Sequence, residues 1–225
     1  MKILITGGLG HIGSYFIQNI NKIKNLKSIY VVDNFSGEIN VPFFEKPKTN
    51  KNIYFYNIDL SKKNSLKKFR KVDIVLNLAS ITNAEASIMI KKKIYKNNLG
   101  IFKNVLDYCI NNSAKLIHIS STSVYGKQSK IVDEQCEEKY LKPQSPYAEI
   151  KLKEEKLLIK NSKKLKYITL RFGTIAGVSR GIRFHTAVNK FCFSAAMNES
   201  IGVYKTALHQ YRPYLSIKDS FKVFK

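Results

Sequence analysis

Cysteine is scarce in this chain. Its three residues, Cys109, Cys136 and Cys192, stand far apart and form no Cys-x-x-Cys pair. That argues against a disulfide framework or a zinc site, and it fits a reducing, cytoplasmic compartment. Long apolar runs are missing too. The opening Met1-Lys2-Ile3-Leu4-Ile5-Thr6-Gly7-Gly8 is too short for a signal-peptide core and breaks at a glycine pair. No later stretch reaches the roughly 20 apolar residues of a membrane-spanning helix, so no membrane partner is expected. There is no internal repeat and no low-complexity linker. Acidic residues are few, with 16 Asp and Glu against 39 Lys and Arg, a formal net charge of +23. An excess of this size raises the question of a nucleic-acid or anionic-membrane partner. The lysine clusters (Lys62, Lys63, Lys67, Lys68; Lys91 to Lys93; Lys163, Lys164) are spread over several predicted helices, without interleaved aromatics. They read as solvated helix faces. Nucleic acid is therefore disfavoured, and the positive field suits a doubly anionic diphosphate.

What is present is an ordinary globular composition: 44% hydrophobic and 24% charged residues. The length of 225 residues accommodates one full domain and the start of a second. Strand and helix patterns alternate through the first two-thirds. Apolar or β-branched strands are predicted at Lys2 to Thr6, Ser28 to Asp33, Ile53 to Asn57, Asp73 to Asn77, Lys115 to Ser120 and Tyr167 to Arg171. Helices are predicted at His11 to about Ile23, Lys62 to Arg70, about Ala84 to Asn111, and about Tyr147 to Asn161. This alternation predicts an α/β fold, a doubly wound parallel sheet with helices on both faces. Right-handed crossovers then gather the loops that follow the strands at one edge, where ligands bind. Past Gly177 the pattern changes. A helix is expected from Phe184 to about Met197, with strand-like pieces near Ile201 to Tyr204 and Tyr214 to Ile217. The expected division is a nucleotide-binding domain over 1–177 and a partial substrate-binding region over 178–225.

Residues 6 to 13 read Thr6-Gly7-Gly8-Leu9-Gly10-His11-Ile12-Gly13. They match both Gly-x-Gly-x-x-Gly and the Thr-Gly-x-x-Gly-x-x-Gly variant. Glycines allow the tight turn, and their missing β-carbons let a pyrophosphate approach the first N–H groups of a helix. The motif lies between a predicted strand and a predicted helix. Asp33 ends the next strand, 20 residues after Gly13 (33 − 13), the spacing expected of a ribose-binding acid. Its carboxylate accepts hydrogen bonds from ribose hydroxyls and repels a 2′-phosphate. Asn34-Phe35-Ser36 follows it, with no arginine, so NAD is expected over NADP. Asp59-Leu60 reads equally as a contact to the adenine and as an acid in a helix N-terminal turn.

A second constellation begins at Ser120-Ser121-Thr122-Ser123-Val124-Tyr125-Gly126, at a strand end. Tyr147-Ala148-Glu149-Ile150-Lys151 follows, with Tyr147 placed 26 residues after Ser121 (147 − 121). A Tyr and a Lys four apart share a helix face. The ammonium then stabilises the phenolate and lowers a pKa that is ordinarily near 10. Such a phenolate is a base for a sugar hydroxyl, and Ser121 can hydrogen-bond the same oxygen.

These pieces, in this order, give a resemblance to the extended short-chain dehydrogenase/reductase family, the nucleotide-sugar epimerases and dehydratases. Thr6 to Gly13, Val32-Asp33-Asn34, Asn77-Leu78-Ala79-Ser80, Asn97-Asn98-Leu99-Gly100, Ser120 to Gly126, the Pro-Tyr-x-x-x-Lys segment and Leu170-Arg171-Phe172 carry it. The resemblance implies a Rossmann-like sheet, NAD as cofactor, a nucleotide-sugar substrate and, as in many relatives, a homodimer. It implies Ser121 as the catalytic hydroxyl, Tyr147 as the acid/base and Lys151 as the ligand of the nicotinamide ribose. Gly7, Gly10, His11, Ile12, Gly13, Asp33, Asn34, Asp59, Leu60, Leu78, Ala79, Ser80 and Asn98 fall on the cofactor side. Asn98 matches a helix Asn that supports the active site; read alone, it is a polar helix residue. No metal ligand is implied.

The same comparison narrows the reaction. Sugar 4,6-dehydratases resemble Thr-Asp-Glu before Val-Tyr-Gly, and decarboxylases carry a Glu two residues before that Tyr. This chain has Ser121-Thr122-Ser123 there, so elimination lacks its acid pair, and epimerisation or simple oxidoreduction fits better. On the substrate side, Ser123 and Thr174 are candidates, Thr174 standing where many members have an Asn. His185 and Asn189, four apart, face either a sugar or a packed interface. Phe184, Val188 and Phe191 are the expected buried stripe of that helix. Arg212, in Tyr211-Arg212-Pro213-Tyr214, suits a diphosphate or a rim ion pair. Typical relatives continue beyond this point, so an incomplete substrate-binding region is expected. Three readings stand: an NAD-dependent nucleotide-sugar epimerase, a related oxidoreductase or dehydratase, and a truncated NAD-binding pseudoenzyme with a scaffold role.

Overall fold

The computed structural model describes residues 1–36, 47, 49–82, 89–128, 131–205 and 208–225. Six strands form one parallel sheet: β1 (Lys2–Thr6), β2 (Ser28–Asp33), β3 (Asn52–Asn57), β4 (Ile74–Asn77), β5 (Lys115–Ser121) and β6 (Tyr167–Phe172), in the order β3-β2-β1-β4-β5-β6. The chain steps outward from β1 to β3, then returns to place β4 on the other side of β1. Thr6 and Asn77 are partners in the β1–β4 register. The crevice where strand order reverses therefore opens beyond these two residues, the usual ligand position in such sheets.

The central strands β1, β2 and β4 are apolar on both faces, as a sheet covered on both sides requires. Leu4, Val32, Val75 and Leu116 face one core, filled by Phe102 and Val105 of α2 (Lys91–Asn112) and Leu158 of α3 (Pro146–Lys160). Ile3, Ile5, Ile29, Val31 and Leu76 face the other, filled by Phe16 and Ile17 of α1 (His11–Gln18). Phe102 is completely buried, so truncating it to Ala costs about 3–5 kcal/mol. After β7 (Thr174–Ala176), α4 (Ala187–Ala196) and β8 (Tyr214–Ser216), the chain ends in α5 (Ile217–Val223). β7 and β8 pair with each other. Phe221 of α5 returns to the second core, with its ring edge-on to Phe16 at 5.6 Å.

Several predicted elements differ. Lys62 to Arg70 is a run of turns rather than a helix. Asn64 and Lys71 take positive φ, and the bonds in between are of the turn type, Lys67 N–H to Asn64 O and Phe69 N–H to Leu66 O. α1 stops at Gln18 and continues as a short 3-10 turn over Ile20–Lys22; the Tyr15 carbonyl accepts both the Asn19 N–H at 3.2 Å and the Asn19 side-chain amide at 2.9 Å. The long helix starts at Lys91; residues 83–88 of its expected span lie outside the described residues. Ile201 to Tyr204 forms no strand, and Ile217 opens a helix capped by Ser216. In α4 the buried positions are Asn189 and Ser194, not the aromatic stripe. Its Phe193 ring lies tilted against exposed Phe184, with centroids 4.7 Å apart, while the Asn189 side chain is buried.

Candidate active site

β1 runs into Gly7, whose φ of +64° favours glycine. A β-carbon there would stand 2.7 Å from the Ala79 backbone. At Gly13, one would stand 2.6 Å from Gly8, where α1 crosses the turn. Gly10 caps α1, and its N–H donates to Gly7 O at 3.1 Å. This is a cradle that only glycines leave open, and a pyrophosphate fits its chemistry. Asp33 borders the cradle. Its Oδ2 accepts the Leu9 N–H at 3.1 Å and its Oδ1 the Phe35 N–H at 3.1 Å. Asn34 is exposed and turned onto Ser36. His11 is buried, with Nε2 2.9 Å from Gly177 O, and burial holds its imidazole below the ordinary value. Ile12 is half-buried.

The loop after β4 is laced from two sides. Leu78 and Ala79 donate their N–H groups to Thr6 Oγ1, each at 3.2 Å. Asn98, only 1% exposed, donates to Ser80 Oγ at 2.9 Å and accepts the Ile81 N–H at 2.9 Å. It is thus a brace and not an outward polar residue. Asp59 accepts both the N–H and the hydroxyl of Ser61, which hold its carboxyl below the ordinary range. Leu60, the next residue, is buried in the core.

Ser145 starts α3. Its side chain accepts the Ala148 N–H at 3.2 Å, and Pro146 occupies the first helical turn, as N-terminal capping favours. That start fixes Tyr147 and Lys151 on one face beside the end of β5. Ser121 accepts the Ser123 N–H at 3.1 Å and the Ser123 hydroxyl at 2.8 Å, and its side chain is near enough to the Tyr147 phenol to favour the ionised form. Lys151 Nζ lies 5.8 Å from the centre of the Tyr147 ring. The three side chains therefore converge. The charge balance differs from the simple expectation. Burial pushes the Tyr147 phenol above its ordinary value, Lys151 pulls it down, Glu154 pushes it up, and Arg183 and Ser121 pull it down. Burial outweighs the ammonium.

Lys151 belongs to a buried chain which sequence reading missed. Lys151 Nζ lies 2.9 Å from Glu154 Oε2. The same oxygen is 3.2 Å from His118 Nε2, off the line of a hydrogen bond. Asn77 Nδ2 reaches His118 Nδ1 at 3.3 Å, and Thr6 Oγ1 donates to Asn77 Oδ1 at 2.7 Å. All five are at most 4% exposed. Burial lowers His118, so the imidazole is neutral. Assigning Asn77 as donor to Nδ1 leaves the ring proton on Nε2, facing Glu154. Burial pushes Glu154 up, but Lys151 and His118 outweigh it and hold the carboxyl below its ordinary value. Lys151 is pulled down by burial and raised more by Glu154. A polar residue at inward positions 118 and 120 of β5 was the available signal.

Arg183 was also missed. Its Nη1 donates to Thr82 Oγ1, and its Nη2 stands over Gly10. Thr174 lies in β7, its N–H bonded to Pro213 O at 2.9 Å. Asn189 is buried, accepting the Gly177 N–H at 3.0 Å and donating to Arg183 O at 3.1 Å. His185 is exposed before α4, in electrostatic reach of His11. Arg212 is exposed, donating to Gln210 Oε1 at 2.8 Å.

A glycine cradle at the switch point of a parallel sheet, with an acid at the end of the second strand, defines a Rossmann-type nucleotide-binding domain. Residues 3–225 match the model of the NAD dependent epimerase/dehydratase family, and the chain belongs to that family of nucleotide-sugar enzymes. An uncharacterized UDP-glucose epimerase of Bacillus subtilis (strain 168) is 32% identical over 188 residues, 79% of this chain and 57% of that protein. The UDP-glucose 4-epimerase of Lactobacillus helveticus is 27% identical over 186 residues, 80% of this chain and 53% of its own length. The chain thus spans about half the length of the curated relatives it matches. Among solved structures, the UDP-N-acetylglucosamine 4-epimerase from Methanobrevibacter ruminantium M1, in complex with UDP-N-acetylmuramic acid, superposes with a TM-score of 0.84. Its identity is 26%, over 98% of this chain and 70% of that one. The UDP-glucuronic acid 4-epimerase from Bacillus cereus, in complex with UDP-glucuronic acid and NAD, gives 0.84 at 25% identity, over 99% of this chain and 71% of that one. Among the described residues, no helix is long and apolar enough to cross a membrane, and no cluster of His, Cys, Asp and Glu could hold a metal ion.

Proposed function

We propose that this chain carries the NAD-binding and catalytic part of a nucleotide-sugar epimerase that works through a transient keto sugar. The observation that carries the reading is the convergence of Ser121, Tyr147 and Lys151 beside the loops of the glycine cradle. The residues that would hold NAD are Gly7, Gly10 and Gly13 at the pyrophosphate, Asp33 at the adenosine ribose and Lys151 at the nicotinamide ribose. Bound there, NAD supplies a reversible hydride acceptor.

Tyr147 removes the proton from a sugar hydroxyl as the carbon loses its hydride, and it returns that proton after the sugar has turned. Ser121 steadies the oxygen as it becomes a carbonyl. Lys151 stabilises the phenolate by its charge. Elimination is disfavoured by the engagement of the nearby carboxylates. Glu154 is paired with Lys151, and Glu155 is bound to Ser120 and Arg171. Neither is free to draw a proton from the sugar ring.

The test is incubation with NAD and a panel of UDP-, GDP- and dTDP-sugars, with the products resolved by chromatography. Conversion of one sugar nucleotide to its epimer, lost in Tyr147→Phe, is the expected result. A dehydrated 4-keto-6-deoxy product would overturn the epimerase reading. Bound NAD with no conversion of any sugar would favour the non-catalytic one.

A further inference from the structure

We propose that Glu154 is a positioning residue for the Tyr147–Lys151 pair, gripping the ammonium through a buried carboxylate that lies against His118 of β5. The proposal rests on the reading of Tyr147 as acid/base and adds a third member to the pair. Glu154 lies three residues after Lys151, on the same helix face. Its Oε2 stands 2.9 Å from Lys151 Nζ and 3.2 Å from His118 Nε2. One oxygen therefore meets both partners. Lys151 is 4% exposed and Glu154 2%, so the attraction is little screened by water.

The consequence is a set point. An ammonium tied to a carboxylate exerts less field on the phenol than a free one. The groups facing Tyr147 are Lys151 and Glu154 from α3, Arg183 from the segment before α4, and Ser121 from β5. Those facing Lys151 are Glu154, Tyr147 and Glu155, and His118 faces Glu154. Among these, Glu154 alone contacts Lys151 at ion-pair distance and also acts on Tyr147.

The experiment is a spectroscopic titration of the Tyr147 phenol in the full chain, which needs neither cofactor nor sugar. Each protein is read against its own Tyr147→Phe counterpart, so that the other twelve of the 13 tyrosines cancel. Glu154→Gln is expected to lower the midpoint of Tyr147 ionisation by about 1 to 3 pH units, the effect of a charge at this range. Glu154→Asp keeps the charge and shortens the reach; it folds more safely and is expected to give a smaller shift in the same direction. An unchanged midpoint in either folded variant would reduce Glu154 to a packing role and overturn the proposal. Failure to turn over any sugar nucleotide would count against the epimerase reading and leave this titration standing.

Discussion

Arg183 Nη2 stands 3.3 Å from the point where a β-carbon on Gly10 would lie. A cation from the segment before α4 thus covers the turn that opens the first helix. Thr82 holds the other guanidinium nitrogen. The α1 N-terminus favours an anion at the same place. A guanidinium above open N–H groups is suited to a pyrophosphate, with which it makes charge-assisted bonds. Arg183→Ala is expected to weaken NAD binding about 10- to 100-fold, the loss of one charged hydrogen bond of about 1.5–3 kcal/mol. Arg183→Lys should recover only part of it, because the planar fork is lost. Equal NAD affinity in all three proteins would remove Arg183 from the site.

Gly13 admits no side chain. A methyl group would meet the Gly8 backbone at 2.6 Å. Gly13→Ala is expected to cost about 1–3 kcal/mol of stability through overpacking. It should also abolish NAD binding, because α1 would be pushed off the turn. Thermal unfolding with and without NAD checks both effects. The parent protein should gain stability with NAD, and the variant should not.

Tyr147→Phe tests the proton-transfer step. The ring and its packing are kept and only the hydroxyl is removed. Turnover should fall about 10²- to 10⁴-fold, the usual contribution of a positioned acid or base. NAD affinity should stay within about threefold, since the cradle and Lys151 remain in place. Parallel losses of turnover and affinity would mean a collapsed site instead.

His118 and Glu154 link stability to acid. Burial holds the imidazole below its ordinary value of 6.5, and Lys151 and His118 hold the carboxyl below its own against the effect of burial. The unfolded chain therefore binds more protons than the folded one as the solution is acidified. The stability this confers is complete above pH 6.5 and is lost as the pH falls through the lowered folded values. Melting temperature should decline between about pH 7 and about pH 5, and His118→Gln should flatten that decline. Identical slopes in the two proteins would show that the imidazole does not contribute.

Motifs made of neighbours in sequence were legible without coordinates. The glycines, Asp33 at the end of β2, and Tyr147 with Lys151 one turn apart are set by local spacing, and the structure places them as that spacing implies. The apolar central strands β1, β2 and β4 were equally readable. Contacts between distant segments were not. The seat of Arg183 over Gly10 depends on how the chain after β7 returns across the first loop. The hold of Glu154 on Lys151 depends on how α3 docks against β5, which buries both side chains. Lys62 to Arg70 misled because helical spacing of charges says nothing of Asn64 turning left-handed. In α4, aromatic periodicity suggested the buried face, whereas the Asn189 amide, bound to two backbone groups, decided it.

Calorimetric titration with NAD, repeated with NADP, bears most directly on the nucleotide site. With Asp33 beside the cradle, the account predicts saturable binding of NAD at one site per chain. NADP should bind at least about tenfold more weakly, a difference of 1.4 kcal/mol at about 25 °C. Asp33→Asn should narrow that gap while keeping an acceptor for the Leu9 N–H. No heat with NAD, or NADP binding as tightly as NAD, would contradict it.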